Sequence, residues 1–243
     1  MATQQIIFFD CMETLIDMEE IPGVREYALW AYAGSGVEAY WDSFQEYLEH
    51  YIAVRKQLQE SPPFYKEYDL RERLSLVVER TEANRRTSKD RQHAAANEII
   101  NSLLAAFWPK YKAQCFVSAE VETALSSFKS QGFTLGVVSN FLVKGGIQEI
   151  LEEQGIAKYF DLVVSSVDVG WKKPHPRIYH IALAEVGVSA PAVIFVGDDY
   201  QNDYLTPQKM GFTPILFDRQ SAHLQVAKRF SSFAELPGLI ERL

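Results

Sequence analysis

Hydrophobic positions fall along this chain in two rhythms. A short apolar run, Ile6-Ile7-Phe8-Phe9, stops at Asp10. Its length and abrupt polar end predict a buried strand, with Met12 to Asp17 as a tight loop leaving it. From about Ile21 to Lys112 the spacing is helical. Tyr27, Trp30 and Ala31 form one stripe, and Tyr40, Phe44, Tyr47, Leu48 and Tyr51 form another. Ser35 with Glu38 fits a capping box at the start of that second helix. Ser61-Pro62-Pro63 ends a helix. Leu70 to Arg80 predicts a further helix, and Ala94 to Phe107 another that Pro109 closes. Between them, Thr81 to Arg91 is almost wholly polar and reads as a loop or a solvated helix end.

From about Cys115 the rhythm changes. Apolar runs at Phe133–Val138, Leu162–Ser165, Val193–Val196 and Pro214–Phe217 alternate with helical stretches at Glu120–Gln131, Gly146–Gln154, Arg177–Val186 and Asn202–Lys209. Strands separated by helices of this length predict a mostly parallel sheet with helices on both faces. Near-continuous apolar strands suit burial on both faces. The expectation is therefore an α/β fold. Its core is a Rossmann-like, three-layer domain with a parallel sheet, residues 1–17 and 115–243, interrupted by an all-α domain at 18–114.

Composition narrows this picture. The chain has 243 residues, 47% of them hydrophobic, enough for a large core and against disorder or a small disulfide scaffold. Its 24 Lys+Arg against 32 Asp+Glu leave a net charge of −8. That balance argues against a nucleic-acid or membrane-surface partner while leaving room for a local basic pocket. Two cysteines, Cys11 and Cys115, do not make a stapled secreted domain. No apolar run reaches membrane-spanning length. The opening Met-Ala-Thr-Gln-Gln has no basic region leading into a long apolar stretch, so the cytoplasm is the expected compartment.

In an open α/β sheet, ligands bind beyond the carboxyl ends of the strands. Asp10 follows the first strand, Ser139 and Asn140 the second. Gly197, Asp198 and Asp199 follow the strand at Val193–Val196, with Asn202 and Asp203 close behind. Between these lies Gly170-Trp171-Lys172-Lys173-Pro174. Carboxylates, a hydroxyl and a lysine are the kit for handling a phosphoryl group with a hard cation.

Four stretches in this order resemble the haloacid dehalogenase-like (HAD) hydrolase superfamily: Phe8-Phe9-Asp10-Cys11-Met12-Glu13-Thr14-Leu15, Val137-Val138-Ser139-Asn140, Lys173-Pro174-His175-Pro176-Arg177-Ile178-Tyr179, and Val196-Gly197-Asp198-Asp199-Tyr200-Gln201-Asn202-Asp203. The helical insert lies where that family places a helical cap. The resemblance implies a hydrolase of a small phosphorylated metabolite, with Asp10 as nucleophile forming an aspartyl-phosphate. It implies Mg²⁺ held by Asp10, the Met12 backbone carbonyl, Asp198 and Asp203. Ser139 would hydrogen-bond the phosphoryl oxygens and Lys173 would neutralise charge, with catalytic roles for both. Thr14 and Asn140 would contact substrate. Asp10, Asp198, Asp199 and Asp203 are expected to gather at one sheet edge. The cap would close over Asp10 during attack and reopen for product release.

The sequence departs from that pattern at Met12, where phosphatases of the family carry a second aspartate that serves as acid and base. Met12 does neither, and such help is worth roughly 10²–10⁴-fold. Glu13 comes next, where the family usually has glycine. It reads either as a replacement acid or as a solvent-facing loop carboxylate. Three readings stay open. One is a Mg²⁺-dependent phosphatase that favours leaving groups needing no proton, such as acyl phosphates. Another is a metal-independent 2-haloacid dehalogenase, for which Arg55, in a stretch Val54–Leu58 that reads first as a solvated helix face, offers a cap guanidinium. The third is a catalytically degenerate member that binds a phosphorylated ligand. Asp198 with Asp203 favours the first, and the retained Asp10, Ser139 and Lys173 argue against the third.

Other signals fold into structure. Gly34-Ser35-Gly36 resembles a dinucleotide fingerprint by letters, but it comes after a helix and reads as a turn. His50, His93, His175, His180 and His223 lack metal-ligand spacing. Cys11 reads as a packed thiol.

Overall fold

A computed structural model describes residues 5–84 and 89–243, side chains excepted at 83, 84 and 89–95. Much of the polar segment 81–91, the opening residues 1–4 and the His93 side chain therefore lie outside the described residues. The chain enters on β1 (Ile6–Phe9) and passes through the short β2 (Asp17–Met18) into four helices. These are α1 (Val24–Tyr32), α2 (Phe44–Glu60), α3 (Leu70–Asn84) and α4 (Lys89–Lys112). It returns through β3 (Cys115–Phe116) to α5 (Ala119–Ser130), β4 (Thr134–Ser139), α6 (Gly146–Glu153), β5 (Leu162–Ser165) and α7 (Ser166–Val169). The remainder is α8 (Pro176–Val186), β6 (Val193–Gly197), α9 (Thr206–Met210), β7 (Thr213–Phe217), β8 (Arg229–Phe230) and α10 (Leu236–Ile240). The described residues fall into two compact units, Met1–Met18 with Phe116–Leu243, and Glu19–Cys115.

The first unit is built on a six-stranded sheet of order β5-β4-β1-β6-β7-β8. Every pairing in it is parallel. All four residues of β1 are buried, because that strand sits between β4 and β6 with helices over both faces. Ile6, Phe8, Val138, Val164 and Phe195 pack with Ile178, Tyr179 and Ala182 of α8 in one core layer. Phe9 turns the other way, 6.5 Å from the ring of Phe128 on α5. Chain order reverses at β1: β4 lies on one flank and β6 on the other, so the carboxyl ends of three strands open on one crevice.

The α/β expectation stands, with local differences. A sixth strand, β8, has only two residues and no periodicity to read. The expected helix at Asn202–Lys209 begins instead as a widened π-turn over Tyr200–Leu205, followed by α9.

The second unit is all-α. The expected capping box at Ser35 does not start α2. Ser35 accepts from the Val37 amide and Glu38 from the Gly34 amide, which closes the turn between helices. The cap is Ser43, whose side chain accepts from the Glu46 amide. Pro109 does not close α4, which continues to Lys112. Proline deletes one amide bond near a helix end, and buried Phe107 and Tyr111 hold that last turn in place. Inside this unit, Thr81 accepts from the Trp41 indole at 2.9 Å and contacts His50 Nδ1 at 2.7 Å.

Candidate functional site

The site grows from the ends of β1, β4 and β6. The Asp10 amide still donates to the Val196 carbonyl (2.8 Å), so the sheet ladder holds Asp10 rigidly as β1 ends. The chain then folds back: Leu15 and Ile16 amides both donate to the Cys11 carbonyl, at 2.8 and 2.9 Å. To make that turn, Glu13 adopts φ 62°, the left-handed region that glycine enters most cheaply. Thr14, fully buried, donates its hydroxyl to Asp198 at 2.9 Å.

Lys173 is the electrostatic centre. It is 3% exposed, and its ammonium meets Asp10 at 2.6 Å and Asp203 at 2.7 Å. Burial pulls its pKa down, but the Asp10 and Asp203 carboxylates outweigh that and raise it, so Lys173 stays charged. Its backbone is clamped by Asn140, whose side chain accepts from the Lys173 amide (2.6 Å) and donates to the Lys173 carbonyl (3.1 Å). Ser139 donates to Asp10 Oδ1 at 3.1 Å.

The β6 end supplies two acids and their support. Asp198 and Asp203 lie with Asp10 so that one oxygen of each falls within 4.8 Å of the others. Burial, then the charge of Asp10, pushes the Asp198 carboxyl up to about 7. Asp203 reaches inward because Gly197 has no side chain; a Cβ there would collide with its carboxylate. Asp199 does not join them. Its carboxylate is exposed and accepts from the amides of Gln201 and Asn202 at 2.9 and 2.7 Å, capping the π-turn. This corrects the expected gathering of four acids to three.

Of the expected site residues, Asp10, Ser139, Lys173, Asp198 and Asp203 come together with Thr14 and Asn140 around them. Thr14 and Asn140 were expected on substrate; here their polar groups are spent on Asp198 and on the Lys173 main chain. Met12 is half-buried in the loop. Glu13 is raised in pKa by partial burial and then by Asp10. Two contributors went unread in sequence. Tyr179 donates to the Asn202 carbonyl at 2.5 Å, tying α8 to the π-turn. Arg219 pairs with Asp17 at 2.5 Å. Tyr179 stood in one of the family-like stretches, close beyond Lys173; Arg219 carried no signal.

Two of the three carboxylates, Asp10 and Asp203, pair with the Lys173 ammonium, Asp198 has no ammonium of its own at hydrogen-bond distance among the described residues, and all donors are hard oxygens. A hard divalent cation fits that donor set. Chemically, the arrangement presents a buried carboxylate, Asp10, with one oxygen engaged by Ser139 and Lys173.

The sequence matches a family model described as haloacid dehalogenase-like hydrolase over residues 4–211. It is 35% identical over 153 residues to haloacid dehalogenase-like hydrolase domain-containing protein 3 of Danio rerio, covering 61% of this chain and 62% of that one. It is 33% identical over 98 residues to glyceraldehyde 3-phosphate phosphatase of Methanothermobacter thermautotrophicus, covering 40% and 43%. The matched stretches thus span under two thirds of these relatives. The fold is similar to that of a 2-haloacid dehalogenase from Pseudomonas syringae pv. Tomato, with TM-score 0.72, 22% identity, and 98% and 99% of the two chains covered.

Proposed function

The chain belongs to the haloacid dehalogenase-like hydrolase family, and we propose that it is a Mg²⁺-dependent phosphatase of small phosphorylated metabolites. The observation carrying this reading is the triad of Asp10, Asp198 and Asp203 within 4.8 Å, an acid set that a metal-independent dehalogenase has no need to hold. Phosphatases among the matched relatives support the same reading.

In this mechanism Asp10 is the nucleophile, and its carboxylate attacks phosphorus to give an aspartyl-phosphate. The leaving oxygen departs with the electron pair of the broken P–O bond, and water later cleaves the acyl-phosphate to release phosphate and restore Asp10. Lys173 pairs with Asp10 and offsets charge on the transferred group; a lysine suits this as a compact point charge. Ser139 donates a hydrogen bond, first to Asp10 and then to a phosphoryl oxygen. Asn140 and Thr14 position Lys173 and Asp198. Mg²⁺, held by Asp10, Asp198, Asp203 and the Met12 backbone carbonyl, would supply charge neutralisation at the phosphoryl oxygens. The helical unit would serve as a cap that sets specificity.

Met12 gives the reading its particular form. Met12 offers no proton to the leaving group, so acyl and aryl phosphates should outpace alkyl phosphates.

Phosphate release from a panel of these esters, with and without Mg²⁺, tests the proposal. Release should require Mg²⁺ and fall by about 10³-fold or more in Asp10→Asn, as for loss of a nucleophile. Activity untouched by Asp10→Asn sinks the nucleophile assignment. Chloride release from 2-chloropropionate without metal moves the protein to the dehalogenase branch.

A further inference from the structure

Ser165 ends β5 in register with Ser139 at the end of β4. Adjacent parallel strands run about 4.8 Å apart, and in-register residues point to the same sheet face. Ser165 is 2% exposed, and its hydroxyl is buried without a hydrogen-bond partner. Buried polar groups are nearly always paired, and an exception calls for a reason.

Local structure supplies none. Ser165 stands at the N-cap of α7, yet its side chain caps nothing. The turn chemistry falls to Ser166, whose Oγ accepts from the Phe141 amide at 2.9 Å and donates to the Phe141 carbonyl at 3.2 Å. Alanine would fit the position and leave those bonds intact. The neighbour of Ser165 across the ladder is Ser139, whose single proton goes to Asp10 and whose oxygen can still accept.

We propose that Ser165 is a positioning residue for Ser139. Its hydroxyl donates to Ser139 Oγ, directly after rotation about χ1 or through one buried water. This leaves the Ser139 proton aimed at Asp10 and, during turnover, at the phosphoryl oxygen. The kinetic consequence rests on the phosphatase reading; the hydrogen bond does not.

The test is Ser165→Ala, alone and with Ser139→Ala. The single variant should keep a melting temperature near wild type, lower kcat by about three- to tenfold, and leave KM nearly unchanged, a loss on the scale of coupling between contacting side chains. In the Ser139→Ala background the same change should cost nothing more. An unchanged kcat, or an equal loss in both backgrounds, overturns the proposal, since a merely structural role would act without Ser139. If the wild type hydrolyses nothing in the panel, the functional reading fails by itself. A crystal structure at about 1.2 Å resolution then decides Ser165. A Ser165–Ser139 bond, direct or through one water, upholds it. A Ser165 hydroxyl bonded elsewhere, or to nothing, overturns it.

Discussion

At φ 62° Glu13 holds a backbone conformation that costs an L-residue roughly 1–2 kcal/mol and glycine little. Glu13→Gly should therefore raise stability, by about 0.5–1 kcal/mol once the extra freedom of unfolded glycine is subtracted. Thermal denaturation reads this directly. The same variant separates the two roles weighed for Glu13: an unchanged kcat leaves it a loop carboxylate, and a fall makes it the replacement acid. Its neighbour gives the complementary test. Met12→Asp should raise turnover of alkyl phosphates by up to about 10²-fold and of acyl phosphates much less, because only the former need a proton on departure. A uniform effect across leaving groups would contradict that account.

Among the elements, the loop from β6 into the π-turn does most to shape the site. An α-helical start would carry Asp203 on an ordinary α-helical spacing. The widened turn brings the Asp203 side chain back over Gly197, near enough for the Asp199 amide to donate to it at 3.1 Å. Gly197→Ala places a methyl against that carboxylate. Overpacking of this kind should cost about 1–3 kcal/mol and weaken Mg²⁺-dependent stabilisation; a melting curve with and without Mg²⁺ measures both. The turn also shows where spacing stops informing. Asp198, Asp199 and Asp203 read as one acidic group, yet Asp199 caps the turn while its neighbours face Asp10.

Across the whole molecule, the −8 charge includes three acids drawn to one sheet edge, and pH exposes their cost. The Asp198 carboxyl is pushed from 3.8 to about 7. A folded value above the unfolded one means the folded state binds the proton more tightly. That stabilisation is present below about pH 4 and is lost as pH rises toward 7. Metal-free protein should thus melt lower at pH 8 than at pH 6, and Asp198→Asn should shrink the difference. Mg²⁺ should stabilise more at pH 8, where the carboxylate is ionised. Equal Mg²⁺ shifts at both pH values would count against Asp198 as a ligand. The sequence by itself determined the parallel sheet, the helical insert and the polar residues at the strand ends. Apolar runs such as Ile6–Phe9 and Val193–Val196 have one way to bury both faces, and the polar residue closing each run must emerge at the strand's end. Tertiary structure alone decided the partners. Which oxygen Lys173 meets, that Asn140 grips a backbone and that Ser165 lies beside Ser139 all depend on residues distant in the chain, 163 positions apart for Lys173 and Asp10. No local periodicity carries information about such pairs, because they become neighbours only when β5, β4, β1 and β6 pair in that order.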